Sequence, residues 1–278
     1  MRKCLSKNGF SAMRACLLMA SALCLAACAT IAPNVPYPAF IQADDLPDTF
    51  LAGLPGARAK QLGGDAQSAR SSIRLLLPAN WDFGTGAAPD KSVEIFVLQG
   101  EVELAGVTLR PGAYAYIPAG YMGASLRTRN GAELLYFLND ANEREIIQTP
   151  LITGIESSRW QPLSDDPMEL GVSEMELRSD PGSGARTWLL KVEPAAVQRW
   201  QAYSAEVEGY LISGDYQHSE CIDGEPVTGN YLTSGYFLRP AGAVNGGPET
   251  LSRVTSIWFL RRLGAGERQL ADGCTRPE

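Results

Sequence analysis

Histidine is almost missing from this chain: 278 residues carry a single one, His218. A metal centre built on several imidazoles is therefore excluded before any motif is considered. Positive charge is short as well, with 24 Lys and Arg against 31 Asp and Glu and a net charge of −7. Binding nucleic acid needs a basic face that displaces phosphate counterions, so the composition argues against that class. Lys-Arg-Glu repeats that favour helix are absent, and Met168–Leu177 is the best helical window. No glycine-rich turn leads into a helix, which leaves nucleotide binding unsupported. With one histidine, a Ser-His-Asp triad would depend on His218, which reads as lying in a flexible loop after Gly214.

What is abundant points elsewhere. Hydrophobic residues reach 45%, while 28 Gly and 18 Pro are spread along the chain. That combination gives a buried core made of many short strands and turns. Val93–Leu98 and Tyr210–Ile212 are apolar runs closed by Gly100 and Gly214. Val102–Leu104 and Val107–Leu109 flank Ala105-Gly106, a tight hairpin signal. Ala113–Ile117 reads as a further strand ending at Pro118.

The N-terminus reads as an address. Arg2, Lys3, Lys7 and Arg14 precede an apolar stretch, Ala15–Ala27, too short for an ordinary membrane span. It ends Leu25-Ala26-Ala27-Cys28, which resembles a bacterial lipobox; an ordinary secretory signal is the alternative. The lipobox reading makes residues 1–27 a signal peptide and Cys28 a lipidated anchor to a membrane, facing the periplasm. Ala29 lacks the aspartate that retains such lipoproteins at the inner membrane, which favours the outer one. The proline-rich stretch around Pro33, Pro36 and Pro38 reads as part of a tether over 28–45. Of the six cysteines, only Cys221 and Cys274 then remain unmodified in an oxidising compartment. A Cys221–Cys274 disulfide is expected to pin the C-terminal tail to a loop; two free thiols are the alternative.

Beyond the tether the sequence repeats itself. Ile73–Pro78 parallels Trp188–Pro194, Glu94–Gly100 parallels Glu208–Gly214, Pro118–Gly120 parallels Pro240–Gly242, and Tyr136–Leu138 parallels Trp258–Leu260. Nearly constant spacing over a whole-domain length means duplication, with a first domain over 46–150 and a second over 151–278. The second copy carries its extra residues between Gly214 and Pro240.

Glu94–Gly100, then Leu109-Arg110-Pro111-Gly112, five residues and Pro118-Ala119-Gly120, resembles the cupin signature, and the second copy repeats it at Phe237–Gly242. The resemblance is nearest to the ChrR-like and two-domain DUF4437 branches. It implies an all-β chain of two tandem cupin (double-stranded β-helix, jelly-roll) barrels. It also implies metal ligands in such barrels, at positions that here fall on Ala87, Pro89, Val93 and Gly123, and on Gln201, Tyr203, Val207 and Asn245. Shifting the frame by one brings in Glu208 but no histidine, so neither a metal nor another cofactor is expected.

The pocket can outlive its metal. Gln201, Tyr203, Tyr210 and Asn245 are expected to converge in the second barrel, with Trp200 at the mouth and Glu208 nearby; plain packing of the barrel interior is the alternative. In the first barrel Tyr114, Tyr116, Tyr121 and Met122 could line a cavity, with core packing favoured. Glu206 and Glu208 stand on one strand face as an acid–base pair or, more commonly, at a solvated edge or in a salt bridge to Arg199 or Arg239. Together these readings give a monomeric envelope lipoprotein that binds a small molecule or a protein partner without catalysis. The rivals are a cupin-type lyase, isomerase or dioxygenase-like enzyme using the second barrel, and a scaffold with no ligand.

Overall fold

The computed structural model describes residues 37–51, 53–65, 70–84, 90–121, 124–154, 159–164 and 169–275. The segment expected to be a signal, Cys28 and the first part of the expected tether lie outside them. Regular structure among the described residues is strand, apart from 3-10 turns at Ala43–Asp45 and Glu169. The strands expected at Val93–Leu98, Val102–Leu104, Val107–Leu109 and Ala113–Ile117 form at Lys91–Gly100, Val102–Leu104, Val107–Leu109 and Tyr114–Ile117. Ala105 and Gly106 both adopt positive φ, +50° and +84°, which closes the hairpin between the middle two. Gly100 has φ +74°, and a Cβ there would overlap the Gly131 carbonyl, so the strand ends on glycine.

The helical window around Met168–Leu177 is strand instead, over Val172–Ser179. The register with Arg186–Val192 slips between Glu176 and Arg178, so Leu177 and Arg178 are both buried after Val172 and Met175. This bulge breaks the two-residue period and imitates helical spacing.

The strands form two halves of one design. In the first, a seven-stranded antiparallel sheet runs in the order Leu151–Thr153, Tyr114–Ile117, Lys91–Gly100, Ala132–Asp140, Arg70–Leu77, Arg58–Asp65 and Asp48–Thr49. It packs on a four-stranded sheet through Ile73, Leu75, Ile95, Val97 and Leu134 on one side and Trp81, Val102, Leu104 and Leu126 on the other. In the second, the large sheet runs Ile41–Gln42, Gly235–Arg239, Val207–Ser213, Ser256–Arg262, Arg186–Val192, Val172–Ser179 and Gln161–Pro162. Its Trp188, Leu211, Phe237 and Trp258 pack against Tyr216 and Tyr231 of a three-stranded sheet. This layered all-β arrangement is a jelly-roll architecture.

The halves trade edge strands, which moves both expected boundaries. Ile41–Gln42, read as tether, pairs with Tyr236 and Gly235 at the edge of the second half's sheet. Phe40 lies on Tyr231 at 5.3 Å between ring centroids, so this segment is docked on the second half. Leu151–Thr153, assigned from sequence to the second domain, pairs with Tyr114–Tyr116 and completes the first half's sheet. An edge strand offers unpaired N–H and C=O groups, and the sequence does not say which distant segment will satisfy them.

Between the halves the two large sheets share a core of Leu62, Phe96, Tyr114, Tyr116, Leu135 and Phe137 with Met175, Leu189, Tyr210, Tyr236 and Phe259. Strand alternation explains the division. Val93, Ile95 and Val97 enter the first half's own core, whereas Phe96 faces the other half. Phe137 and Phe259, equivalent residues of the repeat, stack on each other at 5.4 Å with an interplanar angle of 7°.

Candidate functional site

The motif glutamates are buried in this contact between halves. Glu94 accepts hydrogen bonds from Tyr114 Oη at 2.7 Å and from Thr187 Oγ1 of the other half at 2.6 Å. Glu208, its equivalent, accepts from Tyr236 Oη at 2.8 Å and from Ser72 Oγ of the other half at 2.7 Å. Arg261 joins them, with Nε 3.1 Å from Glu208 and Nη2 3.7 Å from Glu94, and it donates to Asn139. Burial would raise the Glu94 carboxyl, but Arg261 and Arg178 outweigh it and hold it below the ordinary carboxylate range.

Glu208 and Tyr210 are therefore not pocket residues, which corrects the sequence expectation. They alternate with Val207 and Leu211, and it is the latter pair that enters the second half's interior. Glu206 pairs with Arg70 at 2.7 Å, not with Arg199 or Arg239, and makes no acid–base pair with Glu208. In the first half, Tyr114 and Tyr116 are buried in the shared core, and Tyr121 is exposed. Ala87, Pro89, Met122 and Gly123 lie outside the described residues, and Val93 is core.

The second half holds a cavity of about 50 Å³, partly open to solvent. Gln201, Tyr203, Val207 and Asn245, the four positions that the sequence resemblance equates with ligands, all line it. Trp200 does not. It points to the opposite side of the Gln201–Tyr203 strand and packs with Ala202, Val244, Ala271 and the cysteine pair. The Cys221–Cys274 disulfide is present, with Cα atoms 5.2 Å apart, although Cys221 sits in a strand rather than a loop.

Sequence reasoning also misplaced His218, putting it in a loop away from the cavity. It lies in the Asp215–Ile222 strand, buried, stacked on Tyr216, and on the cavity wall. The signal was available: Asp223-Gly224 joins that strand to Glu225–Leu232, with both turn residues at positive φ. Arg239, also missed, donates from Nη2 to Glu220 Oε1 at 2.6 Å and stands 3.0 Å from His218 Nε2. A guanidinium only donates, so Nε2 is the accepting nitrogen and the ring proton sits on Nδ1. Burial pulls the His218 pKa down to about 4, with Arg239 acting the same way and Glu220 opposing. At the other end of the cavity Arg268 pairs with Glu169, Nη1 lying 3.1 Å from Oε2, and also donates to Gln201.

These groups suit a small organic ligand better than a metal. Trp258, Phe237, Val172 and Leu260 supply an apolar wall, while the amides, Tyr203 and His218 supply polar contacts. A divalent cation would meet one imidazole whose lone pair is spent on Arg239, and a second arginine nearby. Among the described residues no three His, Cys, Asp or Glu side chains converge as a metal set.

No protein-family model matches the chain, and no curated protein matches it. Solved structures do. The E. coli protein YlbA, of the DUF861 family, aligns with a TM-score of 0.62 at 14% identity over 80% of this chain and 89% of that one. The oxalate decarboxylase of Bacillus subtilis aligns at 0.55 and 12% identity, over 86% and 81% of the two chains. The 7S globulin of Momordica charantia aligns at 0.56 and 9% identity, over 85% and 88%. The fold is of the cupin type. At these identities the likeness gives the fold alone, and a cupin-type scaffold that carries both a decarboxylase and a globulin leaves function to the residues of the site.

Proposed function

We propose that this cupin-type chain is a ligand-binding protein of the cell envelope, held by lipid on Cys28, that captures a small molecule in its second half without transforming it. Within the fold, the two-copy DUF4437 and ChrR-like branch is the relationship the motifs favour. The carrying observation is the cavity where Gln201, Tyr203, His218 and Asn245 meet an aromatic wall. The absence of turnover rests on how its charges are arranged. Arg239 and Arg268 are each matched by a buried carboxylate, Glu220 and Glu169, and the lone pair of His218 is committed to Arg239. Among the described residues that line the cavity, no group is left poised as a general base. The Cys221–Cys274 bridge supports an oxidising compartment, as the signal-like N-terminus does.

Thermal-shift screening of the mature protein against small carbohydrates and organic molecules tests this reading. A ligand that binds only the folded state raises Tm. The rise should vanish in the double variant Tyr203→Phe, Asn245→Ala. Conversion of the hit compound into product, followed by NMR, would replace the receptor with an enzyme.

A further inference from the structure

One arginine beside the cavity meets no carboxylate among the described residues. On the Ser256–Arg262 strand, Trp258 and Leu260 face the second half's interior, whereas Phe259 and Arg261 face the other half. Arg262 therefore continues the inward face one step beyond Leu260, directly opposite Arg186 of the neighbouring strand. Like charges in that register repel unless each finds a partner. Arg186 has two, with Nη2 2.7 Å from Glu174 Oε1 and Nε 3.2 Å from Glu176 Oε2. Arg262 donates only to backbone: Nε to the Gly264 carbonyl at 2.9 Å and Nη2 to that of Gly184 at 3.3 Å, which leaves Nη1 over.

Tyr203 joins it from the cavity wall. Its hydroxyl makes no hydrogen bond, and the charges acting on it are Arg268, Glu174, Arg186 and Arg262. Neither that hydroxyl nor Arg262 Nη1 is sealed from solvent, so a ligand at the cavity mouth can reach both. Burial pulls the Arg262 pKa below its ordinary value, with Tyr203 opposing and Arg186 assisting; no carboxylate acts on it. Glu174 and Glu176 are turned to Arg186 and Glu169 to Arg268, so the cation left to match is Arg262. The cavity, about 50 Å³, has room for roughly four water-sized groups, with Leu260 and Trp258 on its wall.

We infer that the ligand is a short-chain monocarboxylate, its oxygens accepting from Arg262 Nη1–H and the Tyr203 hydroxyl and its hydrocarbon end lying against Leu260 and Trp258. This rests on the second-half cavity being the binding site. A carboxylate supplies the charge that Arg262 lacks and takes both donors at one group. An alcohol brings no charge, and an ammonium adds a third cation beside Arg186 and Arg262. A dianion would bring more charge than one guanidinium offsets and would face Glu174.

Calorimetric titration of the mature protein with butanoate, butan-1-ol, butylammonium and acetate tests this. Butanoate should bind about tenfold or more tighter than butan-1-ol, as expected for hydrogen bonds to a charged group. Acetate, two methylenes shorter, should bind about tenfold more weakly than butanoate. Butylammonium should bind weakest. Arg262→Gln and Tyr203→Phe should each narrow the gap between butanoate and butan-1-ol; the second removes a single oxygen and keeps the test open if the first unfolds. Equal affinity for butanoate and butan-1-ol, or an advantage that survives both substitutions, overturns the carboxylate assignment. So does acetate binding as tightly as butanoate, which would put the anion outside the cavity. If none of the four binds while the thermal-shift screen yields a ligand lost in the Tyr203→Phe, Asn245→Ala variant, the carboxylate assignment fails and the cavity stands as the site. If neither experiment finds a ligand, both fail.

Discussion

The two halves are built from one repeat, yet they differ most in a single hairpin. In the first half it consists of Val102–Leu104 and Val107–Leu109, three residues a side, and the surrounding interior is filled by Leu, Ile, Val and Ala with Trp81 and Tyr136. In the second half it has become Asp215–Ile222 and Glu225–Leu232, eight residues a side. The added length brings in His218, Glu220 and Cys221. The first two put charge and hydrogen bonding on the cavity side, and the third ties the strand to the C-terminal tail. The first half's interior is packed with apolar side chains, and the second half's has polar groups on its cavity wall. The surface between them stayed nearly symmetric, with Glu94 and Glu208 held in matching ways.

That comparison can be broken at its shared centre first. Glu94→Leu would leave Arg178 and Arg261 buried with a carboxylate missing, and should cost about 3–5 kcal/mol in urea unfolding. A loss below about 1 kcal/mol would mean that the halves do not depend on the network. Next comes the feature found in one half only. Replacing Cys221 and Cys274 together by Ala releases a bridge spanning 53 residues. On the chain-entropy account this costs about 4 kcal/mol. Hydrogen exchange should show the weakening in the Asp215–Leu232 hairpin and the tail, with the first half's hairpin unchanged.

Acid should act on the second half before the first. The His218 pKa is near 4 in the folded protein against an ordinary 6.5, so the unfolded chain binds the extra proton in between. Stability from the neutral ring is complete above pH 6.5 and is lost as pH falls through 4, amounting to roughly 3 kcal/mol. His218→Gln should flatten this stretch of the pH–stability curve. Glu94 and Glu220, held below their ordinary range, act at lower pH still. A histidine signal titrating near 6.5 in the native protein would contradict the buried, Arg239-bound ring. The smallest effect concerns the docked N-terminal strap. Tyr37 donates to Glu220 Oε2 at 2.8 Å, so Tyr37→Phe should cost about 1–2 kcal/mol and loosen the chain ahead of Phe40.

Several features were legible in the chain without coordinates. Apolar runs closed by a glycine gave strands, and Glu94–Gly100 and Glu208–Gly214, matched in sequence, both form strands. The leftover pair of cysteines gave the disulfide. Gln201, Tyr203 and Asn245 line the cavity, as inward positions carried with a motif at fixed spacing would. Trp200, Glu208 and Tyr210 do not. A side chain points opposite to its strand neighbour, and a frame error of one residue exchanges cavity for interface.

Local chemistry, then, determined the strands, the turns and the bridge, since each depends on residues near in sequence or on simple pairing. Tertiary structure alone decided which sheet Ile41–Gln42 and Leu151–Thr153 would complete. It also sent the two motif glutamates into a common interface, and set His218 against Arg239. Those outcomes depend on which distant backbone edges and buried charges find each other, and burial makes an unmatched partner too costly to leave alone.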